Sequence, residues 1–228
     1  MQLGSDGDRG RAGMDDIEDD GGYLAFDTRF RKCPDEPNVL EWTVGLRRYR
    51  DDAQDDPGTL LASLTGFLAQ PGYVPEDHDD WYFDVFDMRS QHALQAFRIL
   101  VDDAALVEKA LKVSSLSDDF GAIAHLDRMW VDPAVRGRGL GLRLMREAQH
   151  ALGRYGLLVI LKAHPDGDKV PNTALLKLAA YYQSDKQLGF KAVSKRMRPG
   201  WLVGLGKSLS STPTTLPSTI STEPRLDR

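Results

Sequence analysis

The stretch that decides the fold is "VDPAVRGRGLGLRL", from Val131 to Leu144. It places glycines at positions 137, 139 and 141, between an extended segment and a helical one. The segment before it, Ala122 to Val131 ("AIAHLDRMWV"), ends at an Asp-Pro pair, and proline stops a strand because it has no N–H to donate to the ladder. The sequence therefore predicts a strand, a glycine turn and a helix in direct succession.

The segments after the turn continue this pattern. Apolar residues recur at every fourth position from Leu140 to Leu152, and Gly153 is typical of a helix end. The run "LLVIL" at 157–161 is continuously apolar, as expected for a strand covered on both faces. These segments predict a helix and a buried strand.

The rest of the chain predicts further strands and helices. Val39 to Arg50 and Leu60 to Ala69 read as two strands that pair as a hairpin, and Ser90 to Val113 reads as one long or broken helix. Ala174 to Gln183 predicts another helix, and "GFKAVSKRM" with "GWLVGL" supplies the final strands. The order ββ-α-βαβ-αβ implies an α/β fold with a mixed sheet and helices on both faces.

Composition divides the chain of 228 residues into three parts. Residues 1–22 are rich in glycine and aspartate, with few large apolar side chains, and predict a disordered acidic arm. Residues 207–228 hold ten Ser/Thr and three prolines, which predicts a disordered tail. Between these two segments, residues 35–206 are expected to form one folded domain.

Charge and cysteine content limit the partners. Residues 1–20 carry seven acidic side chains against two arginines, and the rest of the chain is balanced, so no basic face for nucleic acid is expected. The single cysteine, Cys33, excludes an intramolecular disulfide and argues against a cysteine-based metal site. With no apolar run long enough for a membrane span or signal peptide, we expect a cytoplasmic protein without a membrane partner; a homodimer stays open.

The glycine turn has the chemistry of a phosphate site. Residues without Cβ let the backbone approach a ligand closely, and free N–H groups at a helix N-terminus bind anions. Arg136 and Arg138 add cationic donors for a pyrophosphate or a 3′-phosphate. A tight turn that serves packing alone is the alternative. A dinucleotide fingerprint is excluded, because Leu142 stands where its third glycine belongs.

The pattern V-x-P-x-x-R-G-x-G-x-G, from Val131 to Gly141, resembles the acetyl-coenzyme A (acetyl-CoA) signature of the GNAT superfamily of N-acetyltransferases. A second segment, "LAAYYQSDKQLGF" at 178–190, looks like that family's helix-turn-strand ending, although Gly189 follows Tyr182 by seven residues where four are usual. The resemblance covers residues 38–206. It implies the GNAT fold, a mostly antiparallel sheet with a parallel splayed pair of strands.

The resemblance also implies a function: transfer of an acetyl group from acetyl-CoA to a primary amine by direct attack in a ternary complex, with no metal. The residues that it assigns to acetyl-CoA are the end of the strand and the glycine turn: Met129, Trp130, Val131, Arg136, Gly137, Arg138, Gly139, Leu140, Gly141 and Leu142. Two alternatives remain, namely a longer acyl-CoA donor and a GNAT module that senses acyl-CoA without turnover. The acceptor stays open among small amines, antibiotics, polyamines and proteins.

The resemblance implies Tyr182 as the acid that protonates the leaving thiolate, with Tyr181 as the fallback and a core tyrosine as the alternative. Asp127 lies where several family members carry the general base. Strand alternation puts it on one face with His125 and Met129, while pairing with a neighbouring arginine, Arg128 or Arg136, is the structural alternative. His125 is the next candidate for the base.

Two further segments bear on the acceptor. His164 follows the strand "LLVILKA" and is a candidate for the pocket mouth. The stretch "PEDHDDWYFDVFD" at 75–87 is acidic and aromatic, and such a rim suits a cationic amine. A solvated turn with a few core aromatics is the alternative for this stretch.

Overall fold

The computed structural model describes residues 22–50, 57–70, 81–116, 120–153, 156–165, 167 and 169–206. Within these residues the chain forms one seven-stranded mixed sheet with helices on both faces. The tail predicted at 207–228, and all of the arm predicted at 1–22 except Gly22, lie outside the described residues. No helix of the described part is long and apolar enough to cross a membrane.

The strands are β1 (Gly22–Lys32), β2 (Val39–Arg50), β3 (Thr59–Ala69), β4 (Ala122–Val131), β5 (Leu157–Lys162), β6 (Lys191–Ser194) and β7 (Arg198–Leu205). The helices are α1 (Trp81–Asp87), α2 (Gln91–Asp102), α3 (Ala104–Leu111), α4 (Leu140–Leu152) and α5 (Asn172–Ser184). The sheet order is β1-β2-β3-β4-β5-β7-β6, and β4 with β5 is its parallel pair. The predicted fold class, the β2–β3 hairpin and the broken helix at 90–113 are confirmed.

Two elements were missed by the sequence analysis. Strand β1 precedes residue 35, where we expected the folded domain to begin, and it pairs with β2 along its whole length. It is an edge strand with four charged residues and half-exposed or exposed side chains. Its apolar residues Leu24, Phe26 and Phe30 share one face, a signal that the sequence analysis did not use. Helix α1 is only seven residues long and was read as a rim segment or turn.

Two apolar layers hold the sheet. On one face, α4 packs onto β1 to β4 and α5 packs onto β7, and this layer buries Leu64, Leu144 and Val159. On the other face, α1, α2 and α3 cover β5 and β7 and bury Phe86 and Ile160. Strand β5 is therefore enclosed from both sides, as its continuous apolar run predicted.

Strand β4 changes character at Asp127. Its first five residues pair with β5, and this pairing stops at Leu126 opposite Leu161. Pairing with β3 continues to Val131, with a register shift that leaves Asp127 without a partner as a β-bulge. Beyond the bulge the two parallel strands are splayed.

The bulge corrects the predicted alternation. Ala124 and Leu126 pack into the layer of α4, and after the bulge Met129 and Val131 do so. Even-numbered residues of β4 therefore face α4 before the bulge, and odd-numbered residues face α4 after it. His125 and Met129 therefore lie on opposite faces of the strand, and the expected common face of His125, Asp127 and Met129 is wrong.

Candidate active site

The glycine turn is tied to the end of β4. The side chain of Asp132 accepts a hydrogen bond from the backbone N–H of Ala134 at 2.9 Å and so caps the short 3-10 turn Pro133–Val135. Arg136 Nε donates to the carbonyl oxygen of Val131 at 3.0 Å. These bonds fix the direction in which the chain enters α4.

Two glycines of the turn require the left-handed region of backbone space. Gly137 has φ 81° and Gly139 has φ 74°, and a Cβ added at either position would meet no heavy atom within 4 Å. In the described structure, the backbone N–H groups from 137 to 141 donate no hydrogen bond. Gly139 is also the N-cap of α4, where the helix dipole favours an anion.

The third glycine of the turn, Gly141, has a packing role. Gly141 is buried in the first turn of α4, and a Cβ there would lie 2.8 Å from Met129 Sδ. Its small size lets the helix pack closely against the splayed end of β4. The N–H of Leu142 donates to the carbonyl of Gly139 at 3.1 Å, so this predicted contact is already partly engaged within the turn.

A cleft of about 280 Å3 opens beside the turn and is called the donor cleft here. It is bounded by the end of β4, the glycine turn, the loop after β5 and α5. Of the residues predicted to bind acetyl-CoA, it is lined by Met129, Val131, Arg136, Gly137, Gly139, Leu140 and Gly141. Trp130, Arg138 and Leu142 do not line it.

A second cleft, of about 320 Å3, lies where β4 and β5 separate and is called the transfer cleft. Its titratable lining residues are His92, His125, Asp127, Arg128, Lys162, His164 and Tyr182. It shares four residues with the donor cleft: Met129, His164, Pro165 and Tyr182. The splay of the sheet thus joins two cavities through one common wall.

The two tyrosines of α5 are clearly distinguished. Tyr182 is buried in the common wall, and its hydroxyl lies 3.9 Å from Met129 Sδ. Burial raises the pKa of Tyr182 to about 12, so its hydroxyl keeps its proton at neutral pH. Tyr181 is 40% exposed and lines the donor cleft but not the transfer cleft. Burial raises the pKa of Tyr181 as well, and a hydrogen bond from the backbone of Leu142 lowers it by a smaller amount.

The three extra residues after Tyr182 do not displace it. Helix α5 runs on to Ser184, and the carboxylate of Asp185 accepts the N–H of Gln187 at 2.8 Å. Arg146 of α4 holds the same carboxylate at 3.1 Å. The inserted segment forms a braced turn, and the tyrosine stays at the cleft.

Asp127 points outward from the bulge. Its side chain is exposed, and neither of the predicted partners, Arg128 and Arg136, forms an ion pair with it in the described part of the chain. It lines the transfer cleft and also a shallower groove that contains Glu41 and Arg89. The carboxylate is therefore accessible from the side away from the glycine turn.

His125 is buried at 1% exposure, and neither ring nitrogen has a hydrogen-bond partner among the described residues. Its ring centroid lies 5.3 Å from that of Phe67 and 6.3 Å from that of Phe86. Burial, with a smaller effect of His92, lowers the pKa of His125 to about 4. The ring is therefore neutral at pH 7.

The sequence analysis missed two residues of the transfer cleft and weighed a third. Lys162, at the end of β5, donates to Gln95 Oε1 at 3.3 Å, and burial lowers its pKa. The rings of His92 and His164 lie 5.5 Å apart. A lysine directly after a buried parallel strand is a usable signal, since sites form at the carboxyl ends of such strands. Nothing in the sequence marks His92.

The described part of the expected acidic-aromatic rim does not line either cleft. Trp81, Val85 and Phe86 of α1 are buried in the core, whereas Phe83 and Asp84 are exposed elsewhere. The aromatic residues of this segment thus serve mainly the layer beneath α2. Residues 75–80 lie outside the described residues.

The segment that forms the glycine turn and the walls of both clefts matches a known family. Residues 96–192 match the family model of the acetyltransferase (GNAT) domain, which includes β4, the glycine turn, β5 and α5. About two fifths of the chain, with the glycine turn at its centre, is therefore similar to this acetyltransferase domain.

No curated protein matches the chain. Among solved structures, the apo form of a mutant agmatine N-acetyltransferase is 15% identical, with a TM-score of 0.31. The similarity covers 64% of this chain and 57% of that one, so the chain spans little more than half of that protein's length. A TM-score of this size carries no argument about the acceptor.

Proposed function

We propose that the protein transfers an acetyl group from acetyl-CoA to a primary amine by direct attack in a ternary complex. The observation that carries the proposal is the common wall of the two clefts, formed by Met129, His164, Pro165 and Tyr182. A donor in one cleft and an acceptor in the other have their reacting ends at this wall. Direct transfer needs this proximity.

The residues of the turn fit the phosphates of CoA. Gly137 and Gly139 leave open space where a side chain would stand, and the N–H groups beside them are free to donate. Arg136 and Arg138 add charge at the same end of α4. We assign the pantetheine arm to the backbone of Met129, Trp130 and Val131, whose edge toward β5 is unpaired.

The chemistry follows from the groups at the wall. The bound thioester supplies an activated acyl group, and transfer forms a carbon–nitrogen bond while the carbon–sulfur bond breaks. Asp127 accepts the proton that the amine loses, and Tyr182 donates its hydroxyl proton to the thiolate. His125 is the second candidate for the base, since it is neutral and faces the transfer cleft.

Two alternatives share the same fold. A longer acyl chain would need more room at the common wall, and a sensor would bind acyl-CoA without turnover. Catalysis is favoured because a protonated tyrosine and an unpaired carboxylate line one cleft.

The test has two measurements. Calorimetry is expected to give micromolar-range binding of CoA and acetyl-CoA, with far weaker binding of NAD and ATP. Thiol release from acetyl, propionyl and longer acyl donors, with a panel of amines, then separates the enzyme from the sensor. Binding of CoA without any thiol release would favour the sensor, and no binding up to millimolar CoA would contradict all three readings.

A further inference from the structure

A third cleft, the side cleft, opens next to the transfer cleft. It has a volume of about 550 Å3 and lies between the exposed face of α2, the start of α5 and the turn before β7, with Trp201 among its lining residues. Lys162 lines both clefts. An acceptor whose amine reaches the common wall therefore has room to extend past Lys162 into the side cleft.

Cations from three separate elements converge on the side cleft. Arg98 comes from α2, Lys162 from β5 and Arg198 from β7. Asp102 is the one acidic residue in the described lining, and Arg198 Nε is bonded to Asp103 at 2.5 Å. Arg98 forms no ion pair within the described ranges. The cleft thus has unbalanced positive charge.

Lys162 is the most constrained of these cations. It is half-buried, its ammonium lies 5.7 Å from the ring centroid of Trp201, and its hydrogen bond goes to the neutral amide of Gln95. No carboxylate of the described chain balances it. A partly desolvated ammonium without a counter-charge favours an anionic ligand group.

We infer that the acceptor is an amine that also carries a carboxylate, with the carboxylate bound by Arg98 and Lys162 in the side cleft. A guanidinium binds a carboxylate through two parallel hydrogen bonds, and the ammonium adds a point charge. The inference rests on the proposed function and goes beyond it by naming the acceptor class. It differs from the cationic amine that an acidic-aromatic rim at 75–87 would suit.

The experiment compares matched acceptors. Thiol release from acetyl-CoA is measured with α- and ω-amino acids, each against the amine that remains when its carboxylate is removed. For at least one pair, we expect kcat/KM to be about tenfold or more higher for the amino acid, the effect of one charge-assisted contact. Equal rates within every pair, or faster transfer to the plain amines, overturn the inference while leaving the proposed function intact.

A pair of variants locates the effect. Arg98→Gln is expected to raise the KM of the preferred amino acid about tenfold, so that most of its advantage over the plain amine is lost. Lys109→Gln removes a charge from an exposed position on α3 outside the clefts and serves as the control. If both variants behave alike, the assignment of Arg98 is wrong. If no amine of either kind is acetylated, the proposed function fails, and the inference fails with it.

Discussion

The two halves of β4 differ in their pairing and in their burial. Ala122 to Leu126 is hydrogen-bonded to β3 on one side and β5 on the other, and most of its side chains are buried. Asp127 to Val131 is bonded to β3 only, is largely half-exposed or exposed, and lines both clefts. A single extra residue, the bulge at Asp127, separates the halves.

The difference shows how one strand serves both stability and chemistry. The first half buries apolar side chains and satisfies its backbone, so it contributes to the free energy of folding. The second half leaves backbone groups and a carboxylate unpaired, which a binding site needs. His125 tests this division, because it belongs to the first half and still faces the transfer cleft with both nitrogens unpartnered.

The largest effect is expected from Asp127→Asn in the second half. Loss of a general base lowers kcat by about 10²- to 10⁴-fold, and the melting temperature stays close to the parent's because the side chain is exposed. Asp84→Asn, at an exposed position of α1, is the control in the thiol-release assay. Full activity in Asp127→Asn would transfer the role of the base to His125.

Gly139→Val changes the glycine turn that follows the second half of β4. The φ of 74° strains a β-branched residue, and the side chain enters the space assigned to phosphate. Calorimetry is expected to give a Kd for CoA about 10²-fold higher, as for the loss of two charge-assisted bonds.

Gly153→Val, at the other end of α4, has φ −53° and serves as the control. Circular dichroism must first show that both variants are folded. If folded Gly139→Val binds CoA like the parent, the glycines serve packing alone.

Tyr182→Phe removes the hydroxyl beside Met129 and leaves the ring in the core. We expect kcat to fall by about 10²-fold with little change in the affinity for CoA. Tyr181→Phe, one residue earlier and more exposed, is the matched variant. A larger loss in Tyr181→Phe would reverse the assignment of the acid.

Substitutions at the first half of β4 are expected to change the free energy of unfolding instead of the activity. A Cβ at Gly66, opposite Leu126, would lie 2.2 Å from the carbonyl oxygen of His125 and 2.4 Å from Trp42 Cζ2. Gly66→Ala is therefore expected to lower the free energy of unfolding by about 2 kcal/mol in a urea titration.

Gly121→Ala, just before β4, places the same methyl group where no heavy atom lies within 4 Å. It should unfold at nearly the same urea concentration as the parent. Equal losses in the two glycine variants would contradict the close packing of Gly66 against Trp42 and the His125 carbonyl.

The smallest effect is a pH dependence from His125. Its pKa of about 4 in the folded state lies below the ordinary value of 6.5, so the unfolded chain binds the extra proton first as the pH falls. Stability is thus lost between about pH 6.5 and 4, by about 1.8 kcal/mol from pH 7 to pH 5.

Urea unfolding at both pH values checks this, with His125→Gln expected to remove that part of the dependence. His150→Gln, which replaces an exposed histidine of α4, is the control. An unchanged dependence in His125→Gln would show that another group titrates.

Local patterns in the sequence predicted the elements around the glycine turn well. The strand at 122–131 and the helix that begins at Leu140 and ends before Gly153 were found because proline, glycine and a regular apolar spacing act within a few residues. The same local signals located the candidate phosphate turn, whereas Tyr182 was implied by the family resemblance, and the roles of both remain predictions. Edge strand β1, which carries four charged residues, and the seven-residue helix α1 have weaker signals and were missed.

The sequence by itself determined the class of fold, the order of most elements and the turn that follows β4, since these depend on interactions between near neighbours. Only the tertiary structure decided that Asp127 forms a bulge, that Gly141 packs on Met129, and which groups share the transfer cleft. Lys162, His92 and Arg98 lie far apart in the chain and meet around the separated ends of β4 and β5. The physical reason is that register and cavity shape arise from contacts between distant segments, whose energies depend on how the whole sheet and its two helical layers pack.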